Sequence, residues 1–487
     1  MKKLKDILYG VSVESVKGST DIDVQAVEFD SRNIVQGSLF VAQKGLLFDG
    51  HNFIAQAISK GATTVVFEDF PKETPQEVTF VQVADADEAL AILASNFYGN
   101  PSAALSLVGV TGTNGKTTIA TLLAEQFQKA GHKSGLISTI KIKVGEKEVP
   151  ATHTTPDSVT INKVLRSMVD QGVSHCFMEV SSHGIHQKRT LGLVFNGGIF
   201  TNLTHDHLDY HKSFAAYRDV KKSFFDHLPA NAFALVNLDD RNGSVMLQNT
   251  KAKKYGYALK TEADYKARIL ENQFHGLLLN IDGQEVWTKL IGSFNAYNLL
   301  AIYATADLLG IDKYDNLRIL SELDNVSGRF QHAVSKSGIN TIIDYAHTPD
   351  ALKNVLETIN SIRTFNEQVI TVVGCGGDRD REKRPKMGNI ASSLSNQVVF
   401  TSDNPRNEDP EQIIKEVEAG VRPENYKKTI SISDRKQAIK TACKLAKEGD
   451  IVLVAGKGHE NYQIIGDRKT GFDDFEITTQ ILTELNK

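Results

Sequence analysis

The stretch Val110-Thr111-Gly112-Thr113-Asn114-Gly115-Lys116-Thr117-Thr118 constrains this chain more than any other. It follows LSLVGV (105–110), a run dense enough in apolar residues for a strand buried on both faces. An amphipathic helical pattern over 118–130 comes next. Strand, glycine-rich loop and helix in that order make a phosphate loop. The glycines let backbone N–H groups wrap an anion, and the helix N-terminus adds a favourable dipole. In this reading Lys116 reaches the β- and γ-phosphates of ATP and the Thr117 hydroxyl holds Mg²⁺. The strict pattern G-x-x-x-x-G-K-[ST] is not met, because Val110 stands at its first glycine.

Alternating strand and helix patterns extend on both sides of the loop. Downstream runs are HCFMEV (175–180), NGGIFTNL (196–203) and AFALVNL (232–238), with helical stretches between them. That alternation predicts a parallel sheet with helices on both faces. A β-rich stretch (266–291) and two helices near 295–309 and 313–323 close this block. From Gln331 the alternation resumes with TIIDYA (341–346), QVITVVGCG (368–376), QVVFTSD (397–403), KTISIS (428–433) and DIVLVAG (450–456), each followed by a helical pattern. This is a second doubly wound domain. Upstream, VQAVEF (24–29), SLFVAQ (38–43), TTVVFE (63–68) and VTFVQV (78–83) read as strands, with helices near 51–60 and 87–97. Gly99-Asn100-Pro101-Ser102 then breaks the pattern. The expectation is an α/β chain of three domains. A smaller N-terminal α/β domain spans 1–99, a central P-loop-type ATPase domain on a parallel sheet 100–330, and a C-terminal Rossmann-like domain 331–487.

Composition narrows the function. The 55 Lys and Arg against 59 Asp and Glu give a net charge of −4, which argues against a general nucleic-acid binder. Cys176, Cys375 and Cys443 are too scattered for a disulfide framework or a zinc site, which points to a reducing compartment. The N-terminus lacks a signal-peptide pattern, and no apolar run approaches the ~18 residues of a membrane span. The expected protein is cytoplasmic and monomeric, engages small molecules, and binds neither nucleic acid nor membrane.

Thr111-Gly112-Thr113-Asn114-Gly115-Lys116-Thr117-Thr118 resembles the ATP loop of the Mur ligase superfamily, which also contains the folylpolyglutamate synthases. Met178-Glu179-Val180-Ser181-Ser182-His183-Gly184 and Thr201-Asn202-Leu203-Thr204-His205-Asp206-His207 resemble further motifs of that family. In isolation the first is a strand end with an N-cap acid and the second a polar loop. The resemblance implies that Glu179 and His207 ligate a second Mg²⁺ while Thr117 serves the first. It also implies that Lys221, four residues after Tyr217, is carbamylated to N6-carboxylysine and faces the metal as an anion, with Lys222 the competing assignment. Val236-Asn237-Leu238-Asp239-Asp240, the segment 292–298 and Ser327-Gly328-Arg329-Phe330 match in order, placing Asn295 near the nucleotide and Arg329 near its phosphates. Asp344, in Asp344-Tyr345-Ala346-His347-Thr348-Pro349, is implied to meet the nucleotide as well.

Two further regions indicate the substrates. Phe29-Asp30-Ser31-Arg32 and Gly37-Ser38-Leu39-Phe40-Val41-Ala42 resemble the uridine-nucleotide domain of the ligases that add the third and fourth residues, with Ser31 the implied contact. His153-Thr154-Thr155-Pro156 resembles a segment with Asn at its first position, so Thr154 and Thr155 carry over and His153 departs. Ser181, Gln187 and Arg189 complete the implied donor set. Gly374-Cys375-Gly376-Gly377-Asp378-Arg379-Asp380, Asp403-Asn404-Pro405-Arg406 and Gly456-Lys457-Gly458-His459-Glu460 close three strands of the last block. Alone, D-N-P-R is an Asx–Pro turn. In this family the form goes with meso-diaminopimelate, and the implied contacts are Arg379, Asp403, Asn404, Pro405, Arg406, Gly456 and Glu460. The physical reason is that diaminopimelate ends in a carboxylate which lysine lacks, and a guanidinium fork bonds a carboxylate bidentately.

The resemblance runs over essentially the whole chain. It implies ATP-dependent joining of meso-2,6-diaminopimelate to the D-Glu of UDP-N-acetylmuramoyl-L-alanyl-D-glutamate, in peptidoglycan biosynthesis. The alternatives are the same ligation with L-lysine, a folylpolyglutamate synthase-like ligase, an ATP-hydrolysing binding protein or motor, and a NAD(P)-dependent oxidoreductase built on the last block.

Overall fold

In the computed structural model, residues 2–45, 48–71, 75–151 and 153–487 are described. The chain forms two compact units. The first takes in 1–112, 119–201 and 215–256; the second takes in 113–118, 202–214 and 257–487.

The first unit contains a two-stranded pair, Lys2–Lys3 with Asp23–Val24, and two larger sheets. One has the order Val13–Lys17, Thr79–Val83, Ala62–Phe67, Ser38–Val41, Ala26–Glu28 and is parallel except where Val13–Lys17 joins it. In the other, Ser106–Thr111 lies between His175–Glu179 and Gly197–Phe200, parallel to both. Ser134–Ile137 and Phe233–Asn237 flank that trio in parallel. Leu107, Val108 and Val110 are fully buried, as the apolar run requires. A side chain at Gly109 would approach the Phe224 ring to 2.6 Å, so only glycine lets the helix pack that close. Glu179 pairs with Val110 and Phe200 with Thr111, so these strands end on one line. The fully parallel expectation is corrected at the edge, where Lys141–Val144 runs antiparallel to Ser134–Ile137 and Lys147–Pro150 antiparallel to Lys141–Val144.

The second unit holds the antiparallel strands Tyr265–Gln273, Gly276–Ile281 and Gln284–Thr288, the helices Ser293–Leu308 and Lys313–Glu322, and a six-stranded sheet. That sheet runs Gln331–Val334, Asn340–Asp344, Ile451–Ala455, Val369–Val373, Gln397–Phe400, Thr429–Ser431, and only its first pair is antiparallel. Alternate residues feed two cores. Ile342, Val369 and Leu453 enter one, while Ile343, Ile370 and Val454 enter the other. Both faces are therefore buried, as expected for a doubly wound sheet. Asp344 and Val373 both pair with Ala455, and Val373 with Phe400, so the loops at 345, 374, 401 and 456 leave from one edge. The expectation of a helix directly after every strand fails once. A hairpin, Tyr462–Ile465 with Arg468–Gly471, intervenes before the helix Asp474–Glu484.

Candidate active site

The phosphate loop joins Ser106–Thr111 to the helix Lys116–Lys129. Gly112 (φ 146°) and Gly115 (φ 88°) occupy backbone conformations that side chains rarely adopt, which is why glycine recurs there. Thr113 N–H donates to the Asn202 carbonyl (2.9 Å), Asn114 N–H to Asn202 Oδ1 (2.9 Å) and Thr204 N–H to Thr113 Oγ1 (3.0 Å). The loop is thus laced to 202–204, within the second histidine-rich motif. Lys116 Nζ donates to the Thr113 carbonyl (2.7 Å), and Arg329 Nη2 donates to Thr117 Oγ1 (3.0 Å). Burial pushes the Asp206 carboxyl up, but His207, His347 and Lys116 outweigh it and hold the group below its usual range.

In the first unit, the Lys221 side chain is buried on the helix Phe214–Asp226, and its Nζ donates to the Gly112 carbonyl (2.9 Å). Lys222 instead pairs with Asp226 at 2.7 Å. Of the two competing lysines, only Lys221 reaches the phosphate loop. Glu179 is fully buried at its strand end. Its oxygens accept from Thr139 N–H (2.7 Å) and the Thr139 hydroxyl (3.1 Å), and no cationic side chain pairs with it among the described residues. A buried carboxylate without a counter-ion suits a hard cation like Mg²⁺.

The donor residues named from sequence form one network. Thr154 Oγ1 lies 3.1 Å from Thr139 Oγ1. The Thr155 hydroxyl donates to the Glu179 carbonyl (2.8 Å) and accepts from Ser181 N–H (2.9 Å). Arg189 donates to the Thr155 carbonyl (2.6 Å) and grips Gln187 Oε1 with Nε (3.0 Å) and Nη2 (2.6 Å). Ser31 bonds elsewhere, donating to Gln56 Oε1 (2.8 Å).

In the second unit, Asn295 is buried, donating to the Ile291 carbonyl (2.8 Å) and accepting from Asn298 (2.9 Å). Asp344 accepts from Phe330 N–H (2.6 Å), which fixes the segment carrying Arg329. Burial raises the Asp344 carboxyl to about 6, against the pull of Arg329 and two backbone N–H groups.

The three strand-end motifs implied for the acceptor converge. Asn404 Nδ2 donates to Glu460 Oε2 (2.8 Å), and Arg406 Nη1 donates to the Gly377 carbonyl (2.8 Å). Arg406 has φ 52°, and its backbone bonds to Ile464 and Gly466 in the hairpin. Gly456 (φ 116°) leaves room for the Asp403 carboxylate, which a side chain there would meet at 2.6 Å. Arg379 is exposed and donates to the Asp378 carbonyl (3.0 Å). Pro405 gives its carbonyl to Glu408 N–H, and a side chain on Gly377 would strike that carbonyl at 1.9 Å. Three buried cations lie beneath these motifs, none of them assigned to the acceptor from sequence. Arg384 pairs with Glu408 (2.9 Å) and Glu416 (2.7 Å), Arg435 pairs with Asp474 (2.7 Å), and Lys457 bonds Glu460 (3.2 Å). Two had a local signal: Lys457 as a lysine between two glycines at a strand end, and Arg384 as an arginine just beyond the glycine-rich turn 374–380.

Family models match in chain order: the Mur ligase family catalytic domain over 23–98, the Mur ligase middle domain over 110–306 and the Mur ligase glutamate ligase domain over 328–458. The chain belongs to the Mur ligase family. Curated Mur ligases named UDP-N-acetylmuramoyl-L-alanyl-D-glutamate–2,6-diaminopimelate ligase are similar over their whole length. The Cytophaga hutchinsonii protein is 55% identical, covering 100% of both chains, and the Bacteroides fragilis protein 52% identical, covering 99% of both. A solved structure of a ligase of that name is 31% identical with a TM-score of 0.71, covering 100% of this chain and 99% of the other. The Mur ligase fold is shared with MurF of Thermotoga maritima, solved with ADP, at 20% identity and a TM-score of 0.62, covering 95% of this chain and 97% of the other. The α/β multidomain fold expected from sequence is therefore that of the Mur ligases, which are ATP-using enzymes. Among the described residues no helix is long and apolar enough to cross a membrane.

Proposed function

We infer that this Mur ligase joins meso-2,6-diaminopimelate to the D-Glu of UDP-N-acetylmuramoyl-L-alanyl-D-glutamate at the expense of ATP, a step of peptidoglycan biosynthesis. The observation that carries this is 55% identity, end to end, with a ligase of that name. The matched ranges 23–98 and 110–306 fall within the blocks 1–99 and 100–330, and 328–458 overlaps nearly all of its length with 331–487, which supports assigning these blocks to uridine nucleotide, ATP and amino acid.

The reaction runs in two stages. A γ-carboxylate oxygen of D-Glu attacks the γ-phosphorus of ATP, the bond to the β–γ bridging oxygen breaks, and ADP leaves an acyl phosphate. An amine of diaminopimelate then attacks the acyl carbon, loses a proton, and the tetrahedral intermediate expels phosphate to leave the amide. Gly112, Thr113, Asn114, Gly115, Lys116 and Thr118 hold the phosphates through loop amides and one ammonium, and Arg329 adds a second cation against the developing charge. Thr117, Glu179, His207 and a carbamylated Lys221 are the residues assigned to Mg²⁺, which when bound supplies Lewis-acid stabilisation of phosphoryl oxygens. The lone buried carboxylate of Glu179 and the aim of Lys221 at the loop support these roles. Asn295 and Asp344 serve the nucleotide. Ser31, Thr154, Thr155, Ser181, Gln187 and Arg189 position the donor. Arg379, Asp403, Asn404, Pro405, Arg406, Gly456 and Glu460 receive the diaminopimelate. The enzyme acts as a cytoplasmic monomer on small molecules.

The test is phosphate release from ATP. It is expected only when both the UDP-linked dipeptide and diaminopimelate are supplied; release without the amine would favour an ATP-hydrolysing binding protein.

A further inference from the structure

The acceptor pocket contains a buried ammonium to which the reaction above gives no part. Lys457 follows Gly456 at the end of Ile451–Ala455, and its side chain is 0% exposed. Nζ lies 3.1 Å from Asn404 Oδ1, 3.2 Å from Glu460 Oε2 and 3.9 Å from Asp403 Oδ1. Its charge faces the Tyr462 ring at 5.6 Å.

An ammonium only donates, so it fixes which end of the Asn404 amide faces it. Asn404 Oδ1 accepts from Lys457 and from Ile464 N–H (2.9 Å), which leaves Nδ2 to donate to Glu460 Oε2 at 2.8 Å. Glu460 Oε2 thus receives two donors from the protein, and Oε1 is left for an incoming ammonium. Lys457 also sets the charge count. Asp403 and Glu460 are both nearly buried, with 8% and 14% of their side chains exposed. Arg435, beneath them, is already held by Asp474. Lys457 lies within 4 Å of both carboxylates and offsets one of their charges at that point.

We propose that Lys457 is a positioning residue that sets acceptor selectivity, by orienting Asn404 and Glu460 and by holding one positive charge directly against Asp403 and Glu460. This rests on the reading that the pocket takes the far end of diaminopimelate. That end is zwitterionic, one ammonium and one carboxylate, whereas the far end of lysine is a bare cation. Without Lys457 the pocket gains one negative charge relative to the native state. It then repels the substrate carboxylate and attracts the bare cation, so discrimination moves toward lysine.

The test gives the full-length enzyme diaminopimelate and L-lysine in competition and measures both products by mass spectrometry, for the wild type, Lys457→Met and Lys457→Gln. Glutamine still donates to Asn404, so it carries the same charge change if the methionine variant fails to fold. The expected result is a fall of roughly tenfold or more in the diaminopimelate-to-lysine ratio, the scale of losing one charged hydrogen bond. It should appear in the KM for diaminopimelate, with the KM for ATP unchanged. Equal losses with both acceptors, or an unchanged ratio, would overturn the proposal. A wild type that releases no phosphate in response to diaminopimelate would instead overturn the acceptor reading itself.

Discussion

Glu408→Gln tests how the acceptor loops are held. Glu408 accepts from Arg384 twice (2.9 Å each), from Arg381 (2.8 Å) and from Asp378 N–H (2.5 Å). Arg384 has no exposed side-chain surface and also bonds the Gly376 carbonyl (3.3 Å), so one ion pair ties the 376–378 loop to the 405–408 loop. The Arg384 guanidinium holds the Glu408 carboxyl down from 4.5 to about 2, against the opposing effect of burial. Taken at face value that shift is worth ~3 kcal/mol. Water at the pocket edge screens the pair, and Arg384 keeps Glu416 as a partner, so the expected loss is about 2 kcal/mol at pH 7. For a unit of this size that lowers the melting midpoint by roughly 4–8 °C in calorimetry. The depressed carboxyl contributes its full stability above pH 4.5 and loses it as pH falls toward about 2. The gap between wild type and variant should therefore stay constant from neutral pH to near 4.5 and narrow below it. The loosened loops should raise the KM for diaminopimelate and leave that for ATP alone. A gap that stays constant well below pH 4.5, or an unchanged midpoint at pH 7, would refute the reasoning.

Three further outcomes follow from the geometry. Lys116→Ala should lower phosphate release by ~10²–10³-fold, the scale of losing one preorganised donor, in a steady-state phosphate assay. Lys221→Met should lose most activity in the same assay, while Lys222→Ala loses a largely buried i,i+4 ion pair, about 1 kcal/mol, and keeps its turnover. Asp474→Asn strips the counter-ion from the buried Arg435, which also holds the Ser402 and Ala455 carbonyls at two acceptor strand ends. A loss of about 3–5 kcal/mol is expected by chemical denaturation.

The strand-end residues were legible because local order carries them. A buried strand reads as an apolar run, and the polar residues that follow must lie at the sheet edge, as Asp344, Glu179 and Asn404 do. Three of the missed strands have the opposite character. Val13–Lys17, Lys147–Pro150 and Arg468–Gly471 are exposed on both faces, so no apolar period marks them and only their hydrogen bonds define them. The supports beneath the acceptor pocket were invisible for a different reason. Arg435 and Asp474 lie 39 residues apart, and Lys457 and Asn404 lie 53 apart. Sequence shows Arg435 and Asp474 only as ordinary surface charges, and Lys457 and Asn404 only as parts of separate strand-end motifs, until the fold brings them together. A net charge of −4 likewise conceals cations set one by one at strand ends and loops, at Lys116, Arg189, Arg329, Arg379 and Arg406.

The central claim is the identity of the amine. Equimolar meso-diaminopimelate and L-lysine, offered to the wild-type enzyme with ATP and the UDP-linked dipeptide, put it to the test in one mass spectrum of the product. The expected product is the diaminopimelate tripeptide almost alone. Lysine incorporated equally or in preference would contradict it.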